Sequence, residues 1–268
     1  MKFLNTGTCN WAVPNGVTSL TYLVVGGGGA GGMGRAGGGG AGGLLYNTIS
    51  VIPNTLETIT VGAGGTPGSW NSYVAPTNGG ISNFGTSTIA LGGGAGGVDY
   101  LNIGHTSDTT MAYGQASVSG VVGSGGGNEM NWDGQPPQLR PGYGTPGQGN
   151  NGATGSPCAK TCSWTSTENR HTGGGGGAGS PGVTGFGGDS TSNLDSGTPN
   201  TSGITTITPD GGYGLSYSIT GSQVCYAGGG GGATGNASGE GYISTKPGHG
   251  YCGGGGGAAP GNLSLIHI

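Results

Sequence analysis

Five cysteines, Cys9, Cys158, Cys162, Cys225 and Cys252, are the residues whose chemistry is easiest to read. Cys158 and Cys162 are spaced to close a small loop by a disulfide or, together with His171, to contribute to a zinc site. Structural zinc takes four ligands, as a rule in two paired clusters. No second pair exists, so no metal is expected. A second pattern is G-x-G-x-x-G at Gly27, Gly29 and Gly32, directly after an apolar run. In a dinucleotide site that turn must open a helix whose N–H groups meet the phosphates. Here Met33-Gly34-Arg35-Ala36 leads into more glycines, and the first following acid, Glu57, is too distant for the ribose contact. No cofactor is expected.

Catalysis by paired carboxylates needs convergent acids. Glu57, Asp99, Asp108, Glu129, Asp133, Glu168, Asp189, Asp195, Asp210 and Glu240 stand mostly singly, and the chain reads as a non-enzyme. The better functional candidates are loop residues that combine rings with polar neighbours. Trp70 and Tyr73 share one polar loop and Trp132 and Asp133 another; Trp164 stands near Glu168, Arg170 and His171; Tyr213 and Tyr217 follow later. Amphipathic rings beside hydrogen-bonding side chains suit sugars or polar protein loops. The competing reading is that these rings cover the ends of a scaffold that has no side-chain core.

The elements that must position these residues are unusual. Of 268 residues, 73 are Gly and 14 are Pro, and only 6% are charged. No long helix survives that glycine density at a cost of ~1 kcal/mol per interior Gly. The glycines come in runs rather than at every third position, which excludes collagen. No window approaches the ~20 apolar residues of a membrane-spanning helix, so no membrane span is expected. Six Lys and Arg with a net charge of −4 offer no basic stripe for nucleic acid. No secretory leader is read at the N-terminus. Strand-like segments cover Cys9–Val13, Leu20–Val25, Leu44–Ile52, Leu56–Val61, Ile81–Phe84 and Thr88–Leu91, with Pro53-Asn54 joining the third and fourth. In Leu56–Val61, alternation sets Glu57, Ile59 and Val61 on one face. Later candidates are Ile204–Thr208, Leu215–Ile219, Val224–Ala227 and Tyr242–Ser244.

Between the strands lie runs such as Gly26–Gly29, Gly92–Gly94, Gly173–Gly177, Gly228–Gly232 and Gly253–Gly257. One ordered form is open to them: an extended left-handed helix of three residues per turn, rising ~3.1 Å per residue. Its N–H and C=O groups point outward, and neighbouring helices satisfy them only if no side chain holds the backbones apart. The other reading of such runs is a flexible connector. The expected fold is therefore mostly β and coil with essentially no α-helix. A small glycine-rich antiparallel β-domain (1–97) precedes a polyglycine type II-like helix bundle with long polar aromatic loops (98–262). The last six residues, 263–268, break the composition abruptly and correspond to the end of a common library-preparation transposon. They are set aside from the fold as a foreign tail.

The order Trp11-Ala-Val-Pro-Asn-Gly-Val-Thr-Ser19, then Tyr22-Leu-Val-Val-Gly-Gly-Gly-Gly-Ala-Gly-Gly32, continues through Ile59-Thr-Val-Gly-Ala-Gly-Gly65 and Ala90-Leu-Gly-Gly-Gly94. Over residues 8–97 this resembles the glycine-rich domains of tailed-bacteriophage tail fibre and adhesin proteins; beyond that the likeness is one of composition. The resemblance implies a virion tail component, extracellular after host lysis. Its loops at the bundle tip would bind a bacterial cell-surface glycan or outer-membrane protein, with other tail-fibre proteins as partners. It also implies assembly in a reducing cytosol, where thiols stay free. The alternative is a structural virion or cell-surface protein without a receptor.

Overall fold

The computed structural model of the protein describes residues 1–32, 36–68, 74–97, 122–128, 141–155, 170–185, 208–235 and 248–250. Among these there is no α-helix; small antiparallel sheets and extended coil make up the fold, as the composition predicts. The strands are β1 (Gly7–Ala12), β2 (Ser19–Val25), β3 (Leu44–Ser50), β4 (Leu56–Val61), β5 (Ser82–Phe84), β6 (Thr88–Ala90), β7 (Arg170–His171), β8 (Leu215–Tyr217), β9 (Val224–Tyr226) and β10 (Thr234–Gly235). A four-stranded sheet has the order β1-β4-β5-β6, and β2-β3, β8-β9 and β7-β10 form two-stranded ribbons. β7 and β10 have no strand signal in the sequence; Ile204–Ile207 and Tyr242–Ser244 lie outside the described residues.

Pro53-Asn54 does join β3 to β4, but as a corner rather than a hairpin. β3 pairs with β2 and β4 with β1. The chain turns at Asn54 (φ 64°), whose N–H donates to Val13 O, and at Gly16 (φ 78°) in the matching corner between β1 and β2. The Ile59 face of β4 packs inward as alternation predicts: Ile59 is buried while Leu56 is 69% exposed. Phe84 joins the two layers, meeting Trp11 of β1 and Tyr22 of β2 at ring-centroid distances of 6.3 and 6.4 Å.

Pleated pairing stops where side chains stop, yet the chains stay together. In β2-β3 the ladder ends with Val25 opposite Leu44. Beyond it the same register continues: the N–H groups of Gly26, Gly29 and Gly32 donate to the carbonyls of Gly43, Gly40 and Gly37 at 2.9, 2.9 and 3.0 Å. The bonding interval has changed from two residues, as in an antiparallel ladder, to three. Between these bonds, Gly27 and Ala30 donate to a second segment at Gly80 and Thr77, and accept from a third through Gly93 and Gly96. A backbone that turns its polar groups to successive neighbours every third residue is a three-residue-per-turn helix. The glycines of positive φ among the described residues are Gly7, Gly16, Gly85, Gly147 and Gly221, all outside these runs. Negative φ makes the helices left-handed, as in polyglycine II.

The packing is that of a bundle whose interior is backbone. Gly173–Gly177 is bonded on every side. Gly38 and Ala41 donate to Gly173 and Gly176; Gly173 and Gly176 donate to Asn128 and Gly125; Gly174 and Gly177 donate to Val183 and Ser180; and Gly175 donates to Gly230. Ala153 and Gly212 donate to Gly174 and Gly175 from two further segments. Runs before and after residue 97 thus bond directly to each other. Residues 36–44, 92–97, 122–128, 172–177 and 227–233 are all buried. Glycine is needed here for room rather than for dihedral freedom. A methyl group on Gly29 would overlap the carbonyl of Gly94, and one on Gly229 the carbonyl of Gly175. Alanine enters where it meets another small residue or a side chain. Ala36 packs on Ala233, and Ala41 and Ala227 pack with Leu44 under Leu23, Val25, Tyr217 and Tyr226.

Candidate functional site

The bundle has two unlike ends. Taking residues 36–43 as the axis, Gly43 bonds with Gly26 and Leu91, and the β2-β3 and β5-β6 strands continue from that level. Ala227 and Ala178 bond to each other at the same level, where β9 ends. This is the strand end. At the opposite end Ala36 bonds with Ala233, Gly32 with Gly37, and Gly97 with Gly127.

The described residues that flank most of the long loop sequences sit at that opposite end. Gly32 and Ala36 flank 33–35. The segments on either side of 69–73 meet through Thr66 and Thr77, which pair at the Ala30 level. Asn128 and Gly142 flank 129–140; Ala153, near 156–169, lies beside Asn128 and Gly174. Gly185 bonds to Thr172 and Pro209 to Gly232, flanking 186–207. Gly248, bonded to Gly232, follows 236–247, and β10 precedes it. The described residues that flank these six stretches of sequence therefore lie at one end of the bundle. Trp70, Tyr73, Trp132, Asp133, Trp164 and Glu168 belong to three of these stretches and lie outside the described residues.

Arg170 and His171 form β7 at this same end, opposite Gly235 and Thr234. Their strand exists because the polyglycine pair below it continues into it. Ala178 and Gly175 bond to Ala227 and Gly230, and one register later Thr172 meets Ala233. Thr172 is fully buried, its Oγ1 donating to Ala233 O at 2.7 Å. The base of the loop face is thereby fixed, and the chain enters it with Arg170 and His171 at a defined level.

Tyr213 and Tyr217 fall at the other end. Tyr217, on β8, packs against the Ala41–Leu44–Ala227 cluster and meets Tyr46 of β3 at 4.6 Å between ring centroids. That is a covering role: the ring closes over the larger of the two side-chain clusters among the described residues. Tyr213 is 54% exposed, with its N–H donating to Ser180 Oγ at 2.9 Å and its carbonyl accepting from Gly179 at 2.8 Å. Arg170 and His171 are thus separated from Tyr213 and Tyr217 by the length of the bundle. Gln148 is one residue that the sequence reading missed. Its side-chain amide accepts from Leu91 N–H (2.8 Å) and donates to Ile89 O (3.0 Å), completing the edge of β6 as a neighbouring strand would.

The G-x-G-x-x-G glycines lie inside the bundle, where the N–H groups of Gly27, Gly29 and Gly32 donate to Gly80, Gly40 and Gly37. These donors are committed to the scaffold. Cys9 is free and exposed. Cys225 is disulfide-bonded instead, with a partner outside the described residues, and the expectation of free thiols is corrected there. Pairing follows from which segments the bundle brings together, which cysteine spacing does not report. The Cys158–Cys162 alternative lies outside the described residues.

A family model described as a glycine-rich domain matches residues 4–265. The chain belongs to the glycine-rich domain family. Comparison with curated proteins and with solved structures gives no match. In this glycine-rich domain the family's defining composition has a structural meaning: the runs are the core. No helix among the described residues is long and apolar enough to cross a membrane.

Proposed function

We propose that the glycine-rich domain is a tail-fibre or adhesin component that presents receptor-binding loops from the end of a rigid backbone bundle. The observation that supports this reading is that the described residues flanking six stretches of sequence gather at one end, away from β1–β6 and β8–β9. A scaffold whose runs bond to several neighbours at once, as Gly173–Gly177 does, holds the segments around it at fixed separations, and positioned loops on a rigid frame are the usual carriers of recognition. Trp70, Tyr73, Trp132, Asp133, Trp164, Glu168, Arg170 and His171 are the contact residues of this proposal. Rings stacking on sugar faces beside acidic and basic hydrogen-bonding groups suit a bacterial surface glycan, or the polar loops of an outer-membrane protein. Tyr213 and Tyr217 are released from the proposed site, because they stand at the strand end.

Fluorescently labelled protein should stain a subset of Gram-negative strains, and the Trp132→Ala, Trp164→Ala double variant should lose that staining while keeping its unfolding temperature. Folded protein that labels no strain of a broad panel would remove the receptor-binding reading. The domain would then be a structural virion or cell-surface component.

A further inference from the structure

The two edges of the four-stranded sheet are treated differently. At β6 the edge is only three residues long and is completed by the Gln148 amide. At β1 the edge runs for six residues, Gly7–Ala12, all exposed except the half-buried Trp11. Exposed sheet edges are normally blunted by Lys, Pro, a bulge or short length, because unpaired N–H and C=O groups recruit another strand. Gly-Thr-Cys-Asn-Trp-Ala has none of these devices and no charge at all.

The alternation of the ladder says which groups are open. Val13 N–H donates inward to Thr55 O, and β1 is paired Trp11 to Glu57, Cys9 to Ile59 and Gly7 to Val61. In an antiparallel ladder every second residue of an edge strand turns its N–H and C=O outward. Those residues are Thr8, Asn10 and Ala12, and among the described residues no backbone bond satisfies them.

We infer that β1 pairs antiparallel with β1 of a second copy of this chain, about a two-fold axis through Cys9. Thr8 and Asn10 then exchange backbone hydrogen bonds with Asn10 and Thr8 of the other copy, and the two four-stranded sheets become one. The strand fits itself for three reasons. It carries no charge to repel its own copy. Trp11 comes to lie across from a glycine, Gly7 of the other copy, where its ring has room. Cys9, exposed and free, faces its own copy at a non-hydrogen-bonded position, where Cα atoms stand ~4.5 Å apart. That separation lies within disulfide range. This inference does not depend on receptor binding.

The test uses the full chain. Sedimentation equilibrium at tens of micromolar should give twice the 25.5 kDa chain mass, and Cys9→Ser should remain dimeric. Cys9→Lys alone and Cys9→Glu alone, exposed changes that leave the pairing with β4 intact, should each sediment as monomers. An equimolar mixture of the two should recover the dimer, because opposite charges then face each other. Diamide should produce a covalent dimer from the wild-type chain, each Cys9 thiol giving up its hydrogen to the azo group as the S–S bond forms; Cys9→Ser should give none. A monomeric wild-type chain overturns the proposal. So does a dimer that persists in both charged variants, or one that cross-links equally well without Cys9.

Discussion

Gly175→Ala tests the backbone core directly. Gly175 has no unusual φ, so alanine can adopt its conformation, and in an exposed coil the change would stabilise by ~0.5 kcal/mol through the unfolded chain. In this bundle the added carbon would stand 2.5 Å from the carbonyl carbon of Gly39, closer still to its oxygen, and 2.9 Å from the oxygen of Gly38. Carbon contacts settle at about 3.5–4.0 Å, so the 36–43 segment must withdraw by about 1 Å. The bonds at stake are Gly230 N–H to Gly39 O (2.9 Å) and Gly175 N–H to Gly230 O (2.8 Å). Losing or stretching two buried bonds at about 1–1.5 kcal/mol each, with about 1–3 kcal/mol of overpacking, gives a cost of roughly 3–5 kcal/mol. At ~2–4 °C per kcal/mol for a chain of this size, the unfolding temperature should fall by about 10 °C. The internal control is Gly28→Ala, whose methyl would meet only Gly40 O at 3.9 Å; it should leave the transition within about 2 °C of wild type. Thermal unfolding followed by circular dichroism reads both variants. Equal midpoints for Gly175→Ala and Gly28→Ala would refute the claim that glycine is needed in these runs for room between neighbouring segments.

Amide exchange should be slow across Gly173–Gly177 and fast in the exposed turn around Gly147, since only the first has its N–H groups bonded inside the bundle; uniform rapid exchange of the run would overturn the packed-helix description. Tyr217→Ala removes the ring that covers the Ala41–Leu44–Ala227 cluster and its partner contact with Tyr46. It should cost about 2 kcal/mol in denaturant unfolding, and a change below about 0.5 kcal/mol would deny it a structural role. Peptide mapping without reduction should recover Cys225 in a disulfide-linked pair, and recovery as an alkylated thiol would contradict that assignment.

Much of the local structure was legible in the amino-acid sequence. β4 falls at the expected Leu56–Val61, and β2, β3, β5, β6, β8 and β9 begin or end within two residues of the apolar segments that predict them. The physical reason is simple: a pleated ladder needs side chains to cover its faces, and Val25, Leu44 and Val61 are the last large residues before glycine. The absence of helix among the described residues followed from glycine content alone. Run length and composition also made polyglycine helices the one ordered form available.

Which run lies beside which was decided by the tertiary structure. Gly38, Gly125, Gly174 and Gly230 are chemically identical, so nothing in them encodes a partner. The pairing is set by the side chains at the ends of each run and by the few positions where Ala or Asn has room. β7 and β10 illustrate this: Arg170–His171 becomes a strand because the register of the Thr172–Ala178 and Ala227–Ala233 runs extends into it. The division of the candidate residues has the same origin. Arg170 and Tyr217 both look like polar-loop residues in the sequence, but opposite ends of one helix run separate them. Sequence determined that the core would be made of backbone; only the folded bundle determined which segments lie side by side and which of them meet at each end.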